Sequence, residues 1–159
     1  MDELLTLGSL FDGSGGFPLG AVFSGILPLW ASEVAPFAIM VTTKRLPWMR
    51  HLGDIHGIDG AIIEPVDIIT FGSPCTDMSV AGKRAGLEGK QSVLFYEAIR
   101  IIREMRNATH GKYPRFIVWE NVLGAFSSNR GEDFRAVLTA IVQTAEPEAE
   151  VPAPDKKGW

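Results

Sequence analysis

Cysteine is almost absent. Cys75 is the only one in 159 residues, so no disulfide can close within the chain. That usage suits a reducing compartment, and a cytoplasmic location is expected. Histidine is scarce too. His51, His56 and His110 show no ligand spacing with the one thiol, so no metal site is expected. No apolar run reaches the length of a membrane span. The opening Met1-Asp2-Glu3-Leu4-Leu5 is acidic and lacks the positive region of a signal peptide. Positive charge is in the minority, 15 Lys and Arg against 19 Asp and Glu, for a net charge of -4. The chain as a whole is therefore no electrostatic clamp for nucleic acid, although local positive patches stay open. What remains is ordinary for one globular domain with a real core: 46% hydrophobic and 21% charged residues, without an internal repeat.

The pattern alternates strand, turn and helix. A first strand is expected over residues 6–11. Asp12-Gly13-Ser14-Gly15-Gly16-Phe17-Pro18 follows, and then the apolar Ala21-Val22-Phe23 of a helix. Glycines at a strand-to-helix turn let a ligand approach the backbone, and the helix start offers free N–H groups. A dinucleotide fingerprint needs a third glycine where Pro18 stands, which argues against a nicotinamide enzyme. A second strand over 27–33 ends in Glu33, and an acid there commonly binds ribose hydroxyls. A helix over 36–44 starts on Pro36 and ends on basic residues. Residues 51–55 read as a turn, where Asp54 is a candidate acceptor for an exocyclic amine.

The short run Val66-Asp67-Ile68-Ile69-Thr70-Phe71 reads as a buried parallel strand. It stops at Gly72-Ser73-Pro74, and Cys75 follows at once, where open α/β sheets bind ligands. A thiol on that turn is a candidate nucleophile. Residues 81–90 are glycine-rich and basic. They read as a mobile loop in which Lys83, Arg84 and Lys90 are candidates to meet phosphates. A helix is expected over 92–106, with Leu94, Ala98, Ile101, Ile102 and Met105 on the core face and Arg100, Arg103 and Arg106 as solvated surface. A strand over 114–119 delivers Glu120, a candidate acid, to the same sheet edge as Cys75. A last helix reaches residue 145, and residues 146–159 read as a Pro-rich charged tail or linker.

Together these stretches resemble the DNA cytosine-5 methyltransferase family, bacterial or prophage type, in the family's own motif order and over residues 5–145. Phe11-Asp12-Gly13-Ser14-Gly15-Gly16-Phe17 resembles its S-adenosylmethionine loop, Glu33 its ribose-binding acid, and Gly53-Asp54-Ile55 its adenine-contacting segment. Gly72-Ser73-Pro74-Cys75 resembles its catalytic motif, and Ser79-Val80-Ala81-Gly82-Lys83 the usual continuation. Leu94 falls in a further cofactor-wall motif, and Glu120-Asn121-Val122 resembles the motif that reads the target base. The chain departs from the family's pattern at Thr76, Met78 and Gln91, where the family commonly has Gln, Phe and Arg.

The resemblance implies a Rossmann-like, mostly parallel sheet with helices on both faces, ending before the family's last strands. Residues 1–145 would be an incomplete cofactor-binding and catalytic domain, with the target recognition domain absent. It implies Cys75 and Glu120 as catalytic residues. The cofactor would meet Phe11, Asp12, Gly13, Gly15, Gly16, Phe17, Glu33, Asp54, Ile55, Pro74 and Leu94. Ser79, Lys83, Asn121 and Val122 would meet the substrate, a cytosine flipped out of DNA. A restriction-modification or prophage role is expected, with self-association or a partner chain carrying the recognition domain. The alternatives are a cofactor-binding remnant or split-enzyme subunit without activity of its own, and RNA as substrate.

Overall fold

The computed structural model describes residues 4–72, 90–121, 123–155 and 159, with 90–92 described by backbone alone. It divides into two compact units, residues 1–72 with 100–120, and residues 73–99 with 121–159.

The first unit carries one five-stranded, wholly parallel sheet. Its strands are β1 (Thr6–Leu10), β2 (Leu27–Ser32), β3 (Arg50–His51), β4 (Ile68–Phe71) and β5 (Phe116–Trp119). They lie in the order β3-β2-β1-β4-β5. Helix α1 (Gly16–Phe23) links β1 to β2, α2 (Pro36–Arg45) links β2 to β3, and α3 (Lys90–Ala108) precedes β5. The order reverses between β1 and β4. Right-handed crossovers therefore send α1 and α2 to one face and α3 to the other.

Burial explains why these segments are strands. Every residue of β4 is buried, as its unbroken apolar run requires of a central parallel strand. Leu7, Ala21 and Ile68 form one core cluster, and Ala31, Leu46 and Met49 another. Trp30 is 1% exposed, and its indole lies across Gly8 of β1. A Cβ at Gly8 would sit 2.2 Å from that ring, so the glycine is the space the tryptophan fills. The register slips between Leu7 and Gly8, opposite Pro28 and Trp30. A bulge of this kind is where a sheet tolerates proline.

At the amino end of the sheet, Asp67 ties three strands together. Its Oδ2 accepts from the Thr6 N–H at 2.9 Å and the Thr6 hydroxyl at 3.0 Å, and its Oδ1 accepts from Arg115 at 3.2 Å. Burial pushes this carboxyl up, but those donors outweigh it and hold the acid below its ordinary range.

The expected strands and helices are present with ends shifted by a few residues. Two expectations need correction. The stretch read as a turn at 51–55 begins with β3, a two-residue edge strand, and closes in a 3₁₀ turn, Ile55–Gly57. The arginines of α3 are not all solvated. Arg100 donates to the carbonyls of Ile58 at 2.8 Å and Ile55 at 3.1 Å and pairs with Glu104. Arg106 donates to the Pro114 carbonyl at 2.9 Å. Backbone carbonyls of loops need donors, and long arginines on a packed helix supply them.

The second unit is built on α4 (Glu132–Val142), preceded by 3₁₀ turns Leu123–Phe126 and Ser128–Gly131. Residues 146–159 were expected to be a tail or linker. The described part returns to α4: Arg135 donates to the Val151 carbonyl at 2.8 Å, and the Trp159 indole donates to the Gly131 carbonyl at 2.9 Å while meeting the Phe134 ring edge to face.

Candidate functional site

The carboxyl ends of the parallel strands gather the sequence-predicted residues of the first unit. The loop after β1 runs through left-handed backbone at Phe11 (φ 54°), Gly13 (φ 57°) and Gly15 (φ 88°). A phenylalanine in that region is strained, which is tolerated where surroundings over-determine it. A Cβ at Gly15 would meet the Thr42 methyl at 2.7 Å, whereas the space over Gly13 and Gly16 is open. The loop is thus packed against α2 at Gly15 and clear at Gly13 and Gly16. Helix α1 begins at Gly16 with no side-chain cap, which leaves first-turn N–H groups for another acceptor.

Glu33 is bound into this loop. Its Oε2 accepts from the Gly13 N–H at 2.7 Å, and its Oε1 accepts from Val34 at 2.7 Å and Ala35 at 2.8 Å. Partial burial raises this acid, but the three donors win and keep it below the ordinary carboxylate range. A carboxylate has about four lone-pair sites, so one is left on Oε2 for a ligand hydroxyl. Asp12 differs. It is 6% exposed, its Oδ1 accepts from the Ser9 hydroxyl at 2.7 Å, and its buried Oδ2 has no partner among the described residues. Burial pushes this acid up to about 6, the Ser9 hydroxyl pulls it down, and Glu33 adds repulsion.

Ser32 joins neighbouring loops. Its carbonyl accepts from the Asp12 N–H at 3.0 Å, and its hydroxyl donates to the Gly53 carbonyl at 2.8 Å. Asp54 caps the following turn: its Oδ1 accepts from the His56 N–H at 3.0 Å and contacts His56 Nδ1 at 2.7 Å. Ile55 is buried, while its carbonyl is held by Arg100. Sequence reasoning missed Ser9, Ser32 and Arg100. Ser32 had one signal, its place directly before the strand-end acid. Arg100 had none, because helical periodicity alone cannot tell a solvated cation from one reaching a loop.

On the other side of β1, the ends of β4 and β5 meet. The Glu120 N–H donates to the Phe71 carbonyl at 2.9 Å, and the Glu120 carboxyl lies over Gly72. A Cβ at Gly72 would stand 2.6 Å from Glu120 Oε2, so glycine is what lets the acid lie there. Leu10 pairs with Phe71, which puts the glycine loop and the β4–β5 ends on one edge. Leu94 and Asn121 belong to the second unit. The assignments to Pro74, Cys75, Ser79, Lys83 and Val122 lie outside the described residues.

The residues present fit a nucleoside-bearing ligand on physical grounds. The open space over two glycines admits one, Glu33 keeps a site for a hydroxyl, and Asp54 keeps Oδ2 clear of His56.

A family model described as C-5 cytosine-specific DNA methylase matches residues 5–144. A DNA N-6-adenine-methyltransferase of Escherichia phage P1 is 35% identical over 111 residues, 65% of this chain and 15% of that protein. The type II methyltransferase M.NgoBI of Neisseria gonorrhoeae is 33% identical over 134 residues, 84% of this chain and 40% of that protein. The chain thus spans well under half the length of either relative. Among solved structures, an E. coli prophage-encoded protein described as a DNA modification methyltransferase superposes with a TM-score of 0.68 at 23% identity, covering 87% of this chain and 38% of its own. At that identity the likeness shows the fold.

Proposed function

The chain belongs to the C-5 cytosine-specific DNA methylase family, and from that premise we propose that it carries the cofactor and catalytic half of an enzyme methylating cytosine C5 in DNA. S-adenosylmethionine is the proposed cofactor, and when bound it supplies the methyl group that C5 takes up. Phe11, Gly13, Gly16 and Phe17 would border it, Glu33 would take its ribose hydroxyls and Asp54 its adenine amine.

The observation that carries the reading is Glu120 lying over Gly72, three residues before Cys75 in the sequence. Cytosine C5 is a weak nucleophile. A thiolate added at C6 turns it enamine-like, which is covalent catalysis, and Cys75 is the only thiol available. An ordinary thiol is mostly protonated at neutral pH, so Cys75 needs activation by its turn, by positive charge or by bound substrate. Glu120 would hold N3 and the exocyclic amine as the thiolate adds, with Asn121 and Val122 beside it. Loss of the C5 proton then lets Cys75 leave. The base must flip out of the duplex to be reached, and residues 79–89, with Ser79 and Lys83, are the proposed cover. Methylation at adenine N6, the activity in the phage relative's name, needs no carbon nucleophile and gives Cys75 no task. A cytoplasmic place in a restriction-modification or prophage system belongs to the same proposal.

The test is DNA carrying 5-fluorocytosine with radiolabelled cofactor, the chain being supplied with and without a C-terminal half. A covalent adduct that Cys75→Ser abolishes is expected. No adduct under either condition refutes the assignment. The alternative reading is a subunit of a split enzyme. It expects cofactor binding by calorimetry without turnover until the second half is added.

A further inference from the structure

We propose that Asp12 selects a positively charged ligand over a neutral one at the glycine loop. The inference rests on the proposed cofactor, whose donor form carries a sulfonium, an ammonium and a carboxylate and is a net cation, and whose spent form loses the sulfonium charge and is a neutral zwitterion.

Glycine loops at helix starts ordinarily take phosphate, because the first-turn N–H groups and the helix dipole favour an anion. Here two acids stand in the way. Glu33 is ionised and bonded to Gly13, and Asp12 lies within the same loop. Among the described residues, neither carboxyl has an ion-pair partner. Ser9 serves one oxygen of Asp12 and nothing serves the other. A buried carboxyl oxygen without a donor is costly, and a nearby cation offsets that cost. Because Oδ2 is shut from solvent, its effect reaches a ligand through the field, in surroundings that screen poorly. A pyrophosphate would be repelled by the same arrangement, a second obstacle to a nicotinamide ligand beside Pro18. Glu33 is the charged group facing Asp12, and His51 contacts Thr42, whose methyl packs at Gly15.

Calorimetry on the 159-residue chain tests this with S-adenosylmethionine, S-adenosylhomocysteine and methylthioadenosine. Asp12→Asn keeps the shape and the acceptor for Ser9 but removes the charge. It is expected to narrow the preference for cation by roughly tenfold, the size of one pKa unit of charge interaction. Narrowing between the first two ligands supports the inference and places the effect at the sulfonium, whereas a change only between the last two, both net neutral, overturns it. Unchanged ratios in a folded variant overturn the inference. If the variant does not fold, wild type from about pH 7 to about pH 5 replaces it, since Asp12 takes its proton in that window while Glu33 stays ionised. Ratios flat with pH overturn it equally. Failure of all three ligands to bind would instead sink the cofactor reading.

Discussion

Asp12 costs the fold free energy near neutral pH. Its folded value, about 6, lies above its ordinary 3.8. The unfolded chain therefore gives up this proton more readily, and stability falls as pH rises from about 4 to about 6. The cost is full above that window and vanishes below it. Asp12→Asn is expected to be more stable than wild type at pH 7, by on the order of 2 kcal/mol, with the gap closing by about pH 4. Thermal melts of both proteins across that range check it, and a gap independent of pH refutes it. At this scale the sequence was partly legible. Glycines, Glu33 and Glu120 announce themselves by type and place at strand ends. The missing donor on Asp12 does not, because only packing decides which oxygen is shut away.

For the elements, the informative contact is Trp30 across Gly8. Alanine at Gly8 would drive a methyl into an indole that has no room to turn, since Trp30 is buried and its N–H is held by the Glu64 carbonyl at 2.8 Å. Overpacking of this kind costs about 3 kcal/mol. Gly8→Ala should lower the unfolding free energy by that amount in urea titration, moving the midpoint down, and Gly8→Ala with Trp30→Phe should recover part of it. An unchanged midpoint would show that the ring can move aside. The central strands were legible because a continuous apolar run has few other fates. β3 was not. Two residues carry no periodicity, and Arg50 and His51 are strand only because they pair with Trp30 and Ala31. The reach of Arg100 to the 55–58 turn was hidden for the same reason, since it joins residues 42 to 45 apart in sequence.

For the molecule as a whole, the edge of the sheet matters most. Strand β5 pairs with β4 alone among the described residues, and Phe116 and Val118 on it are 52% and 44% exposed. An open strand edge beside exposed apolar side chains invites pairing with another chain. Self-association of the 159-residue protein is expected. Sedimentation velocity over a hundredfold concentration range should show species heavier than the monomer, and a single monomeric boundary throughout would refute the expectation. The parallel architecture itself was legible, because strand, turn and helix segments alternated along the sequence. The contacts of Val151 with Arg135 and of Trp159 with Gly131 were not, since composition carries no signal for such pairings.

The seam between β1 and β4 has a consequence for synthesis on the ribosome. Thr6 emerges 61 residues ahead of Asp67, the side chain that receives it. At cellular elongation rates of ~5–20 residues per second, β1 waits roughly 3–12 seconds for its second neighbour. During that wait a nascent chain shows one flank of its innermost strand to solvent, a natural moment for a holding chaperone.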